Sequence, residues 1–96
     1  MPRLIWSPAA LQDMQRHYRF LANKDVAVAK RAIRALRAGV NILSHQPEMG
    51  RQIDNLPAEF RDWLIDFGAS GYVVRYRGGP EIITLLRVRH QREAGF

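Results

Sequence analysis

Apolar positions recur along this chain with a period that changes once, near residue 50. Leu4-Ile5-Trp6 is a short apolar run, and Ser7-Pro8 follows it. Serine is a favoured N-cap, and proline suits the first helical position because the N–H it lacks would have no intrahelical partner. Leu11, Met14, Tyr18 and Leu21 then recur at spacings of three and four. That spacing predicts a helix over about 8–22 with these four on its buried stripe. Asn23-Lys24-Asp25 supplies a break and a fresh N-cap. Ala29, Ile33, Leu36, Val40 and Leu43 predict a second helix, which Pro47 and Gly50 bring to an end. So short a link makes the pair an antiparallel helical hairpin.

Beyond the hairpin the pattern is that of strands. Phe60–Phe67 alternates loosely, residues 71–77 (Gly-Tyr-Val-Val-Arg-Tyr-Arg) are rich in β-branched and aromatic types, and Gly78-Gly79-Pro80 marks a turn before a last strand that starts near Glu81 and ends in the basic cluster of Arg87, Arg89, His90 and Arg92. The stretch from Gln46 to Glu59, with Pro47, Gly50 and Pro57, is expected to be an irregular surface connection. The expected fold is α+β in the order β-α-α-β-β-β, a helical hairpin packed on one face of a small, mainly antiparallel sheet. Residues 1–96 are expected to form a single domain, since so short a chain supports one core and shows no internal repeat or boundary.

Charge narrows the choice of partner. The net charge is +6, and residues 1–50 hold eight Lys or Arg against Asp13, Asp25 and Glu48, whereas residues 51–96 hold seven Arg against six acids. A basic first half favours a polyanion or an acidic protein. Thirteen of the fifteen cations are Arg, which suits bidentate contacts to carboxylate or phosphate. With no cysteine there is neither a disulfide framework nor a thiolate zinc site. No secretory signal pattern and no apolar stretch near the roughly 20 residues that span a bilayer is present, so a cytoplasmic protein with no membrane partner is expected.

Few residues carry candidate chemistry. His17, His45 and His90 fall on three elements without metal-ligand spacing, and no glycine-rich phosphate loop exists, so no metal or cofactor is expected. Acid–base cleavage of RNA needs a group to take the 2′-OH proton and cations to stabilise the phosphate. His90 with Arg61, Arg87, Arg89 and Arg92 supplies those types. Strand alternation, however, sets Arg87 and Arg89 on one face and His90 on the other. Phe20 and Ile42 lie nearly opposite their own helical stripes. Two readings stay open for them: packing on the sheet, or exposure as anchors for a partner's apolar helix, with Arg31, Arg34 and Arg37 drawing in acidic side chains.

Five short words in a fixed order complete the sequence reading. They are Trp6-Ser7-Pro8-x-Ala10, Pro47-x-x-Gly50-Arg51, Phe60-Arg61, Tyr72-Val-Val-x-Tyr76, and Ile83-x-Leu-Leu-Arg87-Val-x-His90-x-Arg92. In this order, over essentially the whole chain, they resemble the ParE branch of the RelE/ParE toxin superfamily of bacterial toxin–antitoxin systems. The resemblance implies a toxin without a catalytic residue of its own that inhibits DNA gyrase. It implies a cognate ParD-like antitoxin, a toxin–antitoxin assembly of heterotetramer size or larger, and operator DNA engaged only through the antitoxin. Arg61, Arg75, Arg87, Arg89, His90 and Arg92 are then the target-recognition surface, and Phe20, Ile42, Arg31, Arg34 and Arg37 the antitoxin surface.

RelE-like relatives instead cut messenger RNA on the ribosome, and their third-strand motif commonly places Arg directly after the Gly-Tyr pair. Here that position is Val73, and Arg75 lies two residues on, on the same strand face. A ribosome-dependent endonuclease using His90 with Arg61 or Arg75 remains the first alternative. A small basic nucleic-acid-binding protein without toxicity is the second.

Overall fold

The structure, a computed structural model, describes residues 2–93 and Gly95. Its elements are β1 (Arg3–Trp6), α1 (Pro8–Ala22), α2 (Val26–His45), β2 (Arg51–Gln52), β3 (Phe60–Phe67), β4 (Ser70–Arg77) and β5 (Ile82–His90). The strands form one sheet in the order β1-β5-β4-β3-β2, with β1 parallel to β5 and every other pair antiparallel. The expected α+β architecture is therefore present with one addition. Within the connection expected to be irregular, Arg51 and Gln52 pair with Asp62 and Arg61 as a two-residue edge strand.

Local chemistry sets the boundaries. Ser7 is extended, and its Oγ accepts from Ala10 N at 3.0 Å while donating to Leu86 O at 3.0 Å, so one hydroxyl starts α1 and ties it to β5. Asp25 caps α2 by accepting from Ala27 N and Val28 N. The two-residue turn of the β3–β4 hairpin starts at Gly68, whose φ of 62° suits a residue without Cβ. At Gly71 a Cβ would collide with the Ile65 carbonyl oxygen, so that rung tolerates glycine alone.

The core lies between the hairpin and one sheet face. Leu36, Val40 and Leu43 of α2 meet Val74, Tyr76, Ile83, Leu85 and Val88, all at most 1 % exposed. Burying an aliphatic side chain of this size contributes about 1.5–3 kcal/mol. The α2 stripe is thus close to expectation, with Ala32 buried and Ile33 half-buried. For α1 the expectation is corrected: Leu11 is 50 % exposed, and the buried residues are Ala10, Asp13, Met14 and His17. The helix is rotated because it covers a strand edge with polar groups as well as a core with apolar ones.

A bulge in β5 decides which side chains share a face. Tyr76 pairs with Leu85 and Arg75 with Arg87, which leaves Leu86 as an extra residue. Such an insertion shifts the alternation by one. Ile83 and Leu85 before it, and Val88 after it, therefore all face the helices, whereas Arg87 and Arg89 face outward.

Tyr76 anchors the connection after α2. Its buried hydroxyl donates to Pro47 O at 2.7 Å and accepts from Gly50 N at 3.0 Å. Tyr76→Phe removes both bonds and leaves buried partners unmatched, so a loss of about 1–3 kcal/mol is expected in urea denaturation.

Candidate functional site

β1 ends at Trp6, so β5 loses its neighbour beyond Leu85, and α1 satisfies the strand's edge from there on. Asp13 Oδ2 accepts from Val88 N at 2.8 Å, and His17, one helical turn later, donates through Nε2 to Val88 O at 2.9 Å. Two side chains at i and i+4 thereby replace a missing strand, which protects an edge that would otherwise offer itself for pairing. Asp13 also binds Arg87 Nε and Nη2 at 2.8 and 3.2 Å. Burial works to raise its pKa, but the Arg87 and Val88 hydrogen bonds and the charges of Arg87 and Arg16 outweigh it, so the carboxyl titrates below its ordinary value. Burial lowers the pKa of His17, and the nearby Arg16 adds to that effect against the Val88 carbonyl. Glu93 ties down the chain after β5 by accepting from His90 N and Arg16 Nη1.

The six residues expected to contact the target do not form one cluster. Arg75 and Arg87 are direct partners on the open sheet face, and Arg89 is the partner of Val73 beside them. Arg75 makes a bidentate pair with Asp62 at 3.0 and 3.1 Å, and Arg87 reaches round the β5 edge to Asp13. Arg89 contacts the carbonyls of His90 and Gln91 at 3.4 Å. Arg61 faces the helix side and clamps the 48–50 turn by donating to Glu48 O and Gly50 O. Arg92 is exposed in the turn after β5. His90 stands apart from the arginines, edge-on to Tyr72 with ring centroids 5.3 Å apart.

The hydrogen bonds of His90 define its chemistry. Arg92 N lies 3.2 Å from Nδ1, and a backbone N–H can only donate, so Nδ1 is the acceptor. In the neutral ring the proton then sits on Nε2, which donates to Ser70 Oγ at 3.0 Å. The basic lone pair is occupied by the chain's own backbone.

The hairpin presents the opposite situation. Between α1 and α2 two adjoining depressions of about 290 and 270 Å³ share Met14 and Arg37. Trp6, Leu11 and Tyr18 line one side of this groove, and Ile33 and Asn41 the other. Phe20 is 62 % and Ile42 44 % exposed, so neither packs on the sheet. At about 100° per residue, Phe20 lies 200° from Tyr18 and Ile42 half a turn from Ile33, which puts them outside the groove. α2 carries no acidic residue, and among the described residues Lys30, Arg31, Arg34 and Arg37 are in no ion pair within 4.0 Å. The sheet's arginines largely have carboxylate or carbonyl partners, whereas those of α2 face solvent.

Asp13, His17, Asp62 and Ser70 are absent from the sequence-based site. Only the first two left a signal, as polar residues one turn apart flanking Ala10, Met14 and Leu21. Asp62 and Ser70 gain their roles from strand register, which the sequence pattern does not reveal.

Comparison with known proteins agrees with this fold. The family model described as "ParE toxin of type II toxin-antitoxin system, parDE" matches residues 4–95. Among curated proteins, the chain is 31 % identical to Toxin RelE3 of Caulobacter vibrioides, with 90 % of each chain covered. It is 30 % identical to Toxin RelE1 of the same organism, with 94 % of each covered. Among solved structures it is similar to a chain of the chromosomal ParDE system from P. aeruginosa, with a TM-score of 0.75, 18 % identity, and 94 % and 96 % of the two chains covered. YafQ from E. coli has the same fold at a TM-score of 0.54 and 11 % identity, with 95 % and 94 % covered.

Proposed function

Because the chain belongs to the ParE toxin family of type II toxin–antitoxin systems, we propose that it inhibits DNA gyrase by docking, without a catalytic centre of its own. The observation that carries this reading is the commitment of the groups an RNA-cleaving site would need. Val73 occupies the position where RelE-like motifs place Arg, and it is buried. Arg75 and Arg87 are held by Asp62 and Asp13. The imidazole of His90 has its acceptor nitrogen on Arg92 N and its donor on Ser70. Losing one preorganised donor typically costs on the order of a hundredfold in rate, and here several are engaged elsewhere. Arg89, Arg92 and the exposed Leu64 then belong to a recognition surface.

Two relatives carry the RelE name, and that favours a second reading, a ribosome-dependent endonuclease with His90 as acid or base and Arg61 or Arg75 on the phosphate. Primer extension on messages bound to translating ribosomes separates the two. The docking reading expects no new codon-phased 5′ ends from the purified protein. New ends that disappear in His90→Gln would establish the second reading instead.

A ParD-like antitoxin is the proposed neutralising partner, in an assembly of heterotetramer size or larger, with operator DNA engaged only through it. Its acidic amphipathic segment seats apolar residues in the groove between α1 and α2, pairs its acids with Arg31, Arg34 and Arg37, and wraps past Phe20 and Ile42 on the flanks. The unpaired cations of α2 and the exposure of both anchors support this placement. No helix among the described residues is long and apolar enough to cross a membrane.

A further inference from the structure

At the end of β5 the chain reverses in a four-residue turn, His90 to Glu93, with Arg92 exposed at its third position. His90 O accepts from Glu93 N at 3.0 Å, Arg92 N donates to His90 Nδ1 at 3.2 Å, and Gln91 N donates to Gly71 O of β4 at 2.9 Å. The Glu93 carboxylate adds a link to α1. Its Oε1 accepts from His90 N at 3.0 Å and from Arg16 Nη1 at 3.1 Å, and lies 3.9 Å from His17 Nε2. Arg16 is also 3.6 Å from Asp13, the residue that holds Val88 N and Arg87. One turn of α1 therefore fixes both the last rungs of β5 and the path the chain takes beyond them.

We infer that Glu93 and Arg16 are positioning residues for target docking: their ion pair holds the turn after β5 against α1 and thereby sets where Arg92 stands. The inference rests on the docking reading, in which Arg92 belongs to the recognition surface. The two side chains are 35 % and 48 % exposed, and an ion pair in that setting contributes little to folding. What it fixes is a conformation, and a turn ordered before docking spares the complex the cost of ordering it. Arg92, in no ion pair within 4.0 Å among the described residues, is the cation so presented.

The test compares wild type, Glu93→Ala and Glu93→Gln by two readouts. The first is hydrogen exchange of the backbone amides at positions 92 and 93, whose acceptors, Nδ1 and O of His90, neither substitution removes. The second is the protein concentration that gives half-maximal linear plasmid with gyrase. Glu93→Ala is expected to speed exchange at both amides by about 10-fold and to require about 10-fold more protein. Glu93→Gln keeps an acceptor for His90 N and Arg16 Nη1 and is expected to stay within about threefold of wild type in both readouts. Unaltered exchange in Glu93→Ala overturns the inference, as does unaltered potency despite faster exchange, or a glutamine variant as impaired as the alanine one. Arg16→Gln is judged by the same first two outcomes if Glu93→Ala does not fold. A wild type that leaves gyrase unaffected is a failure of the docking reading, with exchange still deciding whether the pair holds the turn; a potent wild type matched by Glu93→Ala is a failure of this inference.

Discussion

Asp13→Ala is expected to lower the free energy of unfolding by about 2–4 kcal/mol. The carboxylate is 5 % exposed and joins Val88 N on β5 to the guanidinium of Arg87. Arg87 is half-exposed and recovers water when its partner is removed. The Val88 N–H cannot, and its stranded donor accounts for most of the cost. Asp13→Asn keeps an acceptor but no charge and should lose about half as much. Urea denaturation checks both, the expected result being a lower midpoint at an unchanged m-value.

The same pair makes stability depend on pH in a defined direction. Asp13 titrates below its ordinary 3.8 in the folded protein, and Glu93 below its ordinary 4.5, where burial is outweighed by the His90 N–H and Arg16. A carboxyl with a depressed folded pKa contributes stability that is complete above its unfolded value and is lost as pH falls through its folded value. His17 is also depressed from 6.5, because burial disfavours its charged form, so the folded state binds fewer protons there too. Stability should therefore begin to fall as pH drops below about 6.5 and fall further below about 4. Asp13→Ala is expected to flatten the second of these steps. Stability unchanged from pH 7 to pH 3 would contradict the assignment.

Leu11→Asp is expected to weaken binding of the cognate antitoxin by roughly 100-fold while leaving folding within about 0.5 kcal/mol of wild type. Leu11 is half-exposed at the mouth of the groove, so the fold loses little, whereas an acidic ligand meets a new like charge in place of an apolar wall. Phe20→Ser and Ile42→Ser together, on the outer flanks, are expected to cost about 10-fold. Titration calorimetry with purified antitoxin reports both. An unaltered affinity in Leu11→Asp removes the groove as the seat, and an unaltered affinity in the double variant removes Phe20 and Ile42 as anchors.

Much of the architecture was legible in the sequence because each element carries a local cause. Ser7-Pro8, Asp25 and Pro47 mark helix ends by chemistry that acts within one turn, and the α2 stripe has the period its burial requires. What escaped depends on contacts distant in the chain. The rotation of α1 follows from Asp13 and His17 serving Val88, 75 and 71 residues away respectively. The bulge at Leu86 leaves an apolar run looking continuous. The opposition of Arg89 and His90 was legible from strand alternation, but the engagement of Arg75 by Asp62 and of Arg61 by the 48–50 turn was not, because register and a loop path decide both. The placement of Phe20 and Ile42 opposite their helical stripes was the more readable part of the surface, since a helical wheel needs no partner, although only the structure decides between packing on the sheet and the exposure observed.

The most direct measurement adds the purified protein, free of antitoxin, to gyrase, relaxed plasmid and ATP, followed by denaturant and protease. The account predicts protein-linked DNA breaks that release linear plasmid, and only when gyrase is present. Normal supercoiling at large molar excess of the protein, with no linear product, would contradict it.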